Sequence, residues 1–277
     1  RSFHVTGVQT CALPIYQQFF EKVLPTQGRI CVVGIKGEVV RPKFFEDIPS
    51  AVAQMEILDK SDFNTFFALG TFEGMKRRAD ACIFMRSFFV DLDCGENKPY
   101  PTWEDGLIAL MQFTTEKELP PPIIVNSGRG IHAYWPLDRD VSREEWEPVA
   151  DRLRELCNTQ GLIVDPVVFE VARILRIPGT FNFKDDPPHK VTIIRNADPV
   201  SFEEFRKTLG VKEYKPIEVP QRPRSNLSEK LQDNSVSRFS KIIKRSAKGD
   251  GCQQLVAAYQ ERADLSEVRW FRSEEHT

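Results

Sequence analysis

Apolar residues recur along this chain in two rhythms. Spaced three and four apart they predict helices, and in unbroken or alternating runs they predict strands. Ile48, Val52 and Met55 share one face of a predicted helix over 47–59, with Pro49 in its first turn, where proline is tolerated. Trp103, Leu107, Leu110 and Met111 mark a helix over 102–117. Thr102 is its N-cap, Asp105 its acidic capping partner, and Pro120, Pro121 and Pro122 stop it. A third helix over 142–160 starts at Ser142, carries Trp146, Val149, Ala150, Leu153, Leu156 and Cys157 on one stripe, and ends at Gly161. A short helix is expected over 201–209. Strands are predicted at 29–35 and 38–40, as a hairpin turning at Lys36 and Gly37, and at 63–69, 82–90, 123–126, 131–135, 162–165 and 191–195. Residues 70–80 read as a loop carrying Lys76, Arg77 and Arg78, three cations that a solvated face would explain.

One strand end alters this plain picture. The apolar run from Cys82 to Val90 ends in Asp91-Leu92-Asp93. Strand side chains alternate, so the two aspartates share a face and Leu92 points away. Alone, such a pair is a common acidic turn. Downstream, however, Leu162, Ile163 and Val164 run into a third carboxylate, Asp165. Between them the turn Ser127-Gly128-Arg129-Gly130 joins two strands, and the second strand puts His132 and Tyr134 on one face. Three aspartates suit a hard divalent cation. Two such ions about 4 Å apart serve in-line phosphoryl transfer. The glycines let backbone N–H groups approach a triphosphate, and arginine matches phosphate oxygens in a fork.

Composition narrows the alternatives. Net charge is −2 with 28% charged residues, so no global basic field marks a nucleic-acid partner, and any such site is a local patch. Cysteines at 11, 31, 82, 94, 157 and 252 include no Cys-x-x-Cys pair. That argues against a zinc ribbon and a disulfide framework, and makes a reducing cytoplasm the default. No apolar run approaches the roughly 18 residues that span a bilayer, so no membrane partner is expected. Residues 1–15 and 272–277 resemble translated sequencing adapters, which predicts a natural segment from about Tyr16 to Phe271. Within it the expected divisions are a catalytic domain over 16–213, a linker over 214–232, and the truncated start of a C-terminal module over 233–271.

Taken in order, the motifs resemble the archaeo-eukaryotic primase superfamily, in particular its phage and plasmid primase-polymerases. The carriers are Asp91-Leu92-Asp93, Ser127-Gly128-Arg129-Gly130-Ile131-His132, Asp165, and the run Arg173-x-x-Arg176-x-Pro178-Gly179-Thr180-x-Asn182-x-Lys184. The resemblance implies an α+β fold: a palm-like catalytic module, similar to an RNA-recognition fold, packed with an N-terminal α/β unit, with mixed or antiparallel sheets flanked by helices. It implies a nucleotidyltransferase, a DNA primase or DNA polymerase working on single-stranded DNA template with nucleoside triphosphates and two Mg²⁺ or Mn²⁺ ions. Asp91, Asp93 and Asp165 would then be catalytic and hold the metals. Ser127, Arg129 and His132 would bind the nucleotide. Arg176 and Lys184 would reach phosphate or template, or else tie the sheet together. A C-terminal helicase module is a further implied partner, missing from this sequence. Another expectation stands beside these, a non-catalytic DNA-binding replication-initiator module. A nuclease or relaxase would want a second histidine where Tyr134 stands.

Overall fold

A computed structural model describes residues 12–212 of the chain, with side chains from Tyr16 onward. The adapter-like ends, the expected linker and the C-terminal module lie outside the described residues, apart from residues 12–15, which open the first helix. In chain order the elements are α1 (Ala12–Val23), β1 (Ile30–Lys36), β2 (Val39–Phe45), α2 (Ile48–Asp59), β3 (Asn64–Ala68), β4 (Gly70–Phe72), β5 (Cys82–Asp93), α3 (Trp103–Glu116), β6 (Ile123–Asn126), β7 (Gly130–Ser142), α4 (Arg143–Thr159), β8 (Ile174–Arg176), β9 (Phe181–Asn182), β10 (His189–Lys190), β11 (Thr192–Arg195) and α5 (Phe202–Thr208).

The strands form two sheets and a ribbon, and every ladder among them is antiparallel. The larger sheet has the order β11-β6-β7-β5-β4, the smaller β2-β1-β3-β8, and β9 pairs with β10 alone. The smaller sheet with α2 is the N-terminal α/β unit and the larger is the palm-like module, as the α+β expectation required. The late strand β8 pairs with β3, so the chain returns to the first unit after building the second.

Helices seal both sheets. Phe88 of β5 stacks on Trp146 of α4 and Phe205 of α5, with ring centroids 5.6 and 4.9 Å apart. On α1, Phe19 meets Phe67 of β3 at 5.8 Å and Tyr134 of β7 at 5.3 Å, so this helix touches both sheets. Ser87 Oγ donates to the Val23 carbonyl at the end of α1, 3.2 Å away. Capping boxes start α3 and α4: Thr102 with Asp105 and Ser142 with Glu145 each satisfy two otherwise orphaned N–H groups, worth about 1 kcal/mol per cap.

Several sequence expectations change. Residues 70–80 are not all loop, because Gly70–Phe72 pairs with β5. The second hairpin strand extends to Phe45 and the strand after Gly130 to Ser142, since their partners β1 and β5 continue beyond the apolar runs. Residues 162–165 are no strand. Leu162 N–H donates to the Cys157 carbonyl (3.0 Å), Ile163 N–H to the Tyr100 hydroxyl (2.9 Å) and Asp165 N–H to the Asp91 carbonyl (2.8 Å). Three single bonds replace a ladder, and Asp165 then caps the short 3₁₀ turn Pro166–Phe169. α1, β8, β9 and β10 were not anticipated. Among the described residues no helix is long and apolar enough to cross a membrane.

Candidate active site

β5 and β7 pair so that Asp91 lies opposite His132 and Asp93 opposite Gly130. A Cβ at Gly130 would run into the Leu92 carbonyl oxygen, so only glycine lets the turn close this tightly on β5. His132 Nε2 is 3.6 Å from Asp91 Oδ1, and its Nδ1 is 3.1 Å from the Tyr134 hydroxyl. Asp165, brought to Asp91 by its backbone bond, is joined to it again through Arg173. One guanidinium nitrogen, Nη2, contacts the Asp165 carboxylate and lies 3.6 Å from Asp91 Oδ2. Arg173 Nε is buried with no hydrogen-bond partner among the described residues.

Burial dominates the electrostatics of this floor. It pushes the Asp91 carboxyl up to about 7; Arg173 opposes the shift, while Asp93 and Asp165 add to it. Burial pushes His132 down to about 3, helped by the positive charges of Arg176 and Arg173, so the ring is neutral. Burial, then the Asp91 charge, holds the Tyr134 phenol well above its ordinary range.

The rim is built differently. Asp93 is half exposed and accepts from Lys98 Nζ at 2.9 Å. Ser127 is buried, and both its N–H and its hydroxyl donate to the Gly130 carbonyl, at 2.9 and 3.1 Å. Gly128 has φ +88°, in the left-handed region open to glycine, and its N–H donates to Asn126 Oδ1 (2.8 Å). Arg129 forks onto Asp185, with Nε donating to Oδ2 at 2.8 Å and Nη2 contacting Oδ1, and Nη2 also donates to the Lys184 carbonyl (3.2 Å). Asn182 Nδ2 donates to the Ser127 carbonyl at 3.0 Å, pinning the β9–β10 ribbon over the turn. The Lys184 side chain is exposed. Arg176 is buried, donates to Asn64 Oδ1 (2.7 Å) and lies 4.7 Å from the centre of the Phe66 ring. The Asn64 bond links β8 to β3.

No family model matches the chain. The primase-polymerase domain of cyanophage S-2L superposes with a TM-score of 0.50, at 15% identity, covering 66% of this chain and 89% of that one. The fold is that of this primase-polymerase domain. Primase RepB′ superposes at 0.46 over 83% of this chain and 69% of its own, with 14% identity. By sequence, a replication protein of Clostridium perfringens is 28% identical over 153 residues, 54% of this chain. The chain spans 37% of the length of that relative.

On this primase-polymerase fold the donor chemistry fits a hard divalent cation. Asp93 and Asp165 lie near enough to Asp91 for their charges to help raise it. The guanidinium of Arg173 supplies the counter-charge instead. Among the described residues no three Asp, Glu, His or Cys side chains close into a ready ligand group. Asp93 is turned to Lys98, while Asp91 and Asp165 are turned to Arg173. Sequence reasoning gave Arg173 no firm role and overlooked Lys98 and Asp185. Arg173 stands in the fourth motif, yet nothing local shows that its side chain reaches back to Asp91.

Proposed function

We propose that the chain catalyses template-directed nucleotidyl transfer, as a DNA primase, a DNA polymerase or both, in phage- or plasmid-type replication. The observation that carries this reading is the meeting of Asp91, Asp165 and His132 at one strand end of a primase-polymerase fold. Asp91, Asp93 and Asp165 would hold two Mg²⁺ or Mn²⁺ ions, which supply activation of the attacking 3′-hydroxyl and charge neutralisation at the leaving pyrophosphate. His132, neutral and buried, offers a ring N–H to the incoming triphosphate rather than a full charge. Arg129 exchanges Asp185 for a phosphate fork, an arginine–carboxylate pair giving way to an arginine–phosphate pair of the same geometry. Gly128 and Gly130 keep the turn's backbone open to the phosphates. Ser127 shapes that turn through its bonds to Gly130, and Arg176 holds the ribbon side by bonding Asn64, whose Oδ1 also accepts from Phe183 N–H at 3.0 Å. Exposed Lys184 would meet the template or the triphosphate.

The test is incubation with single-stranded DNA, Mg²⁺ or Mn²⁺ and either ribo- or deoxyribonucleoside triphosphates, followed by sizing of products. Asp91→Ala and Asp93→Ala should each abolish incorporation while circular dichroism stays native. Undiminished incorporation in either would sink the metal assignment. A second reading, a DNA-binding replication-initiator module without catalysis, is favoured by one observation: Arg173 already neutralises Asp91 and Asp165. It predicts template binding with no product under either cation.

A further inference from the structure

Tyr134 is the one polar group on the floor that the reading above leaves without work. Its ring is fully buried. Phe19 of α1 meets it edge-on at 5.3 Å and Phe67 of β3 lies 6.4 Å away, so one helix and both sheets fix its position. Its hydroxyl has one hydrogen-bond partner among the described residues, His132 Nδ1 at 3.1 Å. A buried phenol keeps its proton and must place it. Nδ1 is the acceptor within reach.

A neutral imidazole donates from one nitrogen and accepts at the other. If Nδ1 accepts from Tyr134, the ring proton sits on Nε2, and Nε2 lies 3.6 Å from Asp91 Oδ1. The opposite tautomer leaves the phenol proton with no acceptor in a buried site, which costs about 1–3 kcal/mol.

We propose that Tyr134 is a positioning residue that fixes His132 as its Nε2–H tautomer, so that His132 presents a hydrogen-bond donor at Asp91. The tautomer follows from geometry alone. Its consequence, a donor ready for the triphosphate, rests on the nucleotidyl-transfer reading. Tyr134 touches no reacting atom in this scheme and acts through the ring beside it.

Tyr134→Phe removes one oxygen and keeps the ring that Phe19 and Phe67 pack against. The chain has four histidines, at 4, 132, 189 and 276, so long-range ¹H–¹⁵N correlation spectra are simple, and loss of one signal set in His132→Gln assigns His132. The wild-type protein should show the Nε2–H pattern at His132. Tyr134→Phe should show the Nδ1–H form or a mixture of both. A wild-type Nδ1–H pattern, or a pattern that Tyr134→Phe leaves unchanged, overturns the proposal. Steady-state incorporation gives the second readout. Loss of one hydrogen bond's worth of orientation should raise the nucleotide KM about five-fold with kcat nearly constant. A fall in kcat at constant KM indicates a merely structural tyrosine and overturns the positioning role. If no template yields product, the nucleotidyl-transfer reading fails, and the spectra still decide the tautomer.

Discussion

The floor and the rim of this site hold similar charged groups under opposite conditions. On the floor, Asp91, His132, Asp165 and Arg173 are packed where the two sheets meet, and burial moves Asp91 and His132 far from their ordinary pKa values in opposite senses. On the rim, Lys98 with Asp93 and Arg129 with Asp185 stand half in water. Exposed ion pairs of that kind contribute about 0–1 kcal/mol and are readily exchanged. The fold therefore sets the protonation of Asp91 and His132, whereas the rim offers charges that a ligand can take over at little cost.

Removing the floor's cation should break the contrast most severely. Arg173→Met leaves Asp91 and Asp165 facing each other. Loss of one partner from a fully buried pair costs about 3–5 kcal/mol, and with Arg173 one quarter exposed a loss of about 2 kcal/mol is expected. Urea denaturation in the presence of a chelator measures it. Mn²⁺ should then raise the melting temperature of Arg173→Met more than that of the wild type, because the ion takes the place of the guanidinium. Equal shifts would show that Arg173 and the cation do not compete.

The opposed pKa shifts give a sharper test. Between about pH 4 and 7 the folded chain keeps a proton on Asp91 that the unfolded chain has released, so this group lowers stability as pH rises. Between about pH 3 and 6.5 the unfolded chain binds a proton that buried His132 refuses, so this group raises stability as pH rises. Each slope is at most about 1.4 kcal/mol per pH unit, and the two offset each other. In metal-free buffer Asp91→Asn should melt higher at pH 6.5 than at pH 4, and His132→Gln should melt lower at pH 7 than at pH 4. The wild type should be flatter than either. Slopes of one sign in both variants would contradict the assignment.

The rim should respond least. Asp185→Ala frees Arg129 and should change stability by less than about 1 kcal/mol. Its nucleotide KM should fall about two- to three-fold as the arginine loses its resident carboxylate. A raised KM would mean that Asp185 holds Arg129 in its working position.

Much of this contrast was legible in the chain, for reasons that are local. Strand alternation alone puts Asp91 with Asp93, and His132 with Tyr134. Thr102 with Asp105 announced the start of α3, because a capping box is a short-range device. What stayed hidden was non-local. The apolar run Leu162-Ile163-Val164 has a strand's composition, but strand character depends on a partner, and none runs beside it among the described residues. The contacts of Arg173 with Asp91 and Asp165 depend on β8 pairing with β3, a pairing across more than a hundred residues that no local pattern records. The swing of Asp91 and His132 away from ordinary values depends on what covers them, which sequence spacing does not show.

The three bonds that carry Leu162, Ile163 and Asp165 from α4 to β5 have one more consequence. They make the segment from Gly161 to Asp165 a ruler. Each residue added or removed would slide the third carboxylate by roughly 3.4 Å, about the spacing of one strand residue and more than a cation–oxygen bond. Ile163, whose side chain is largely exposed, is free to vary in kind. Related genes would accordingly tolerate spelling changes in this connection while admitting no insertions or deletions.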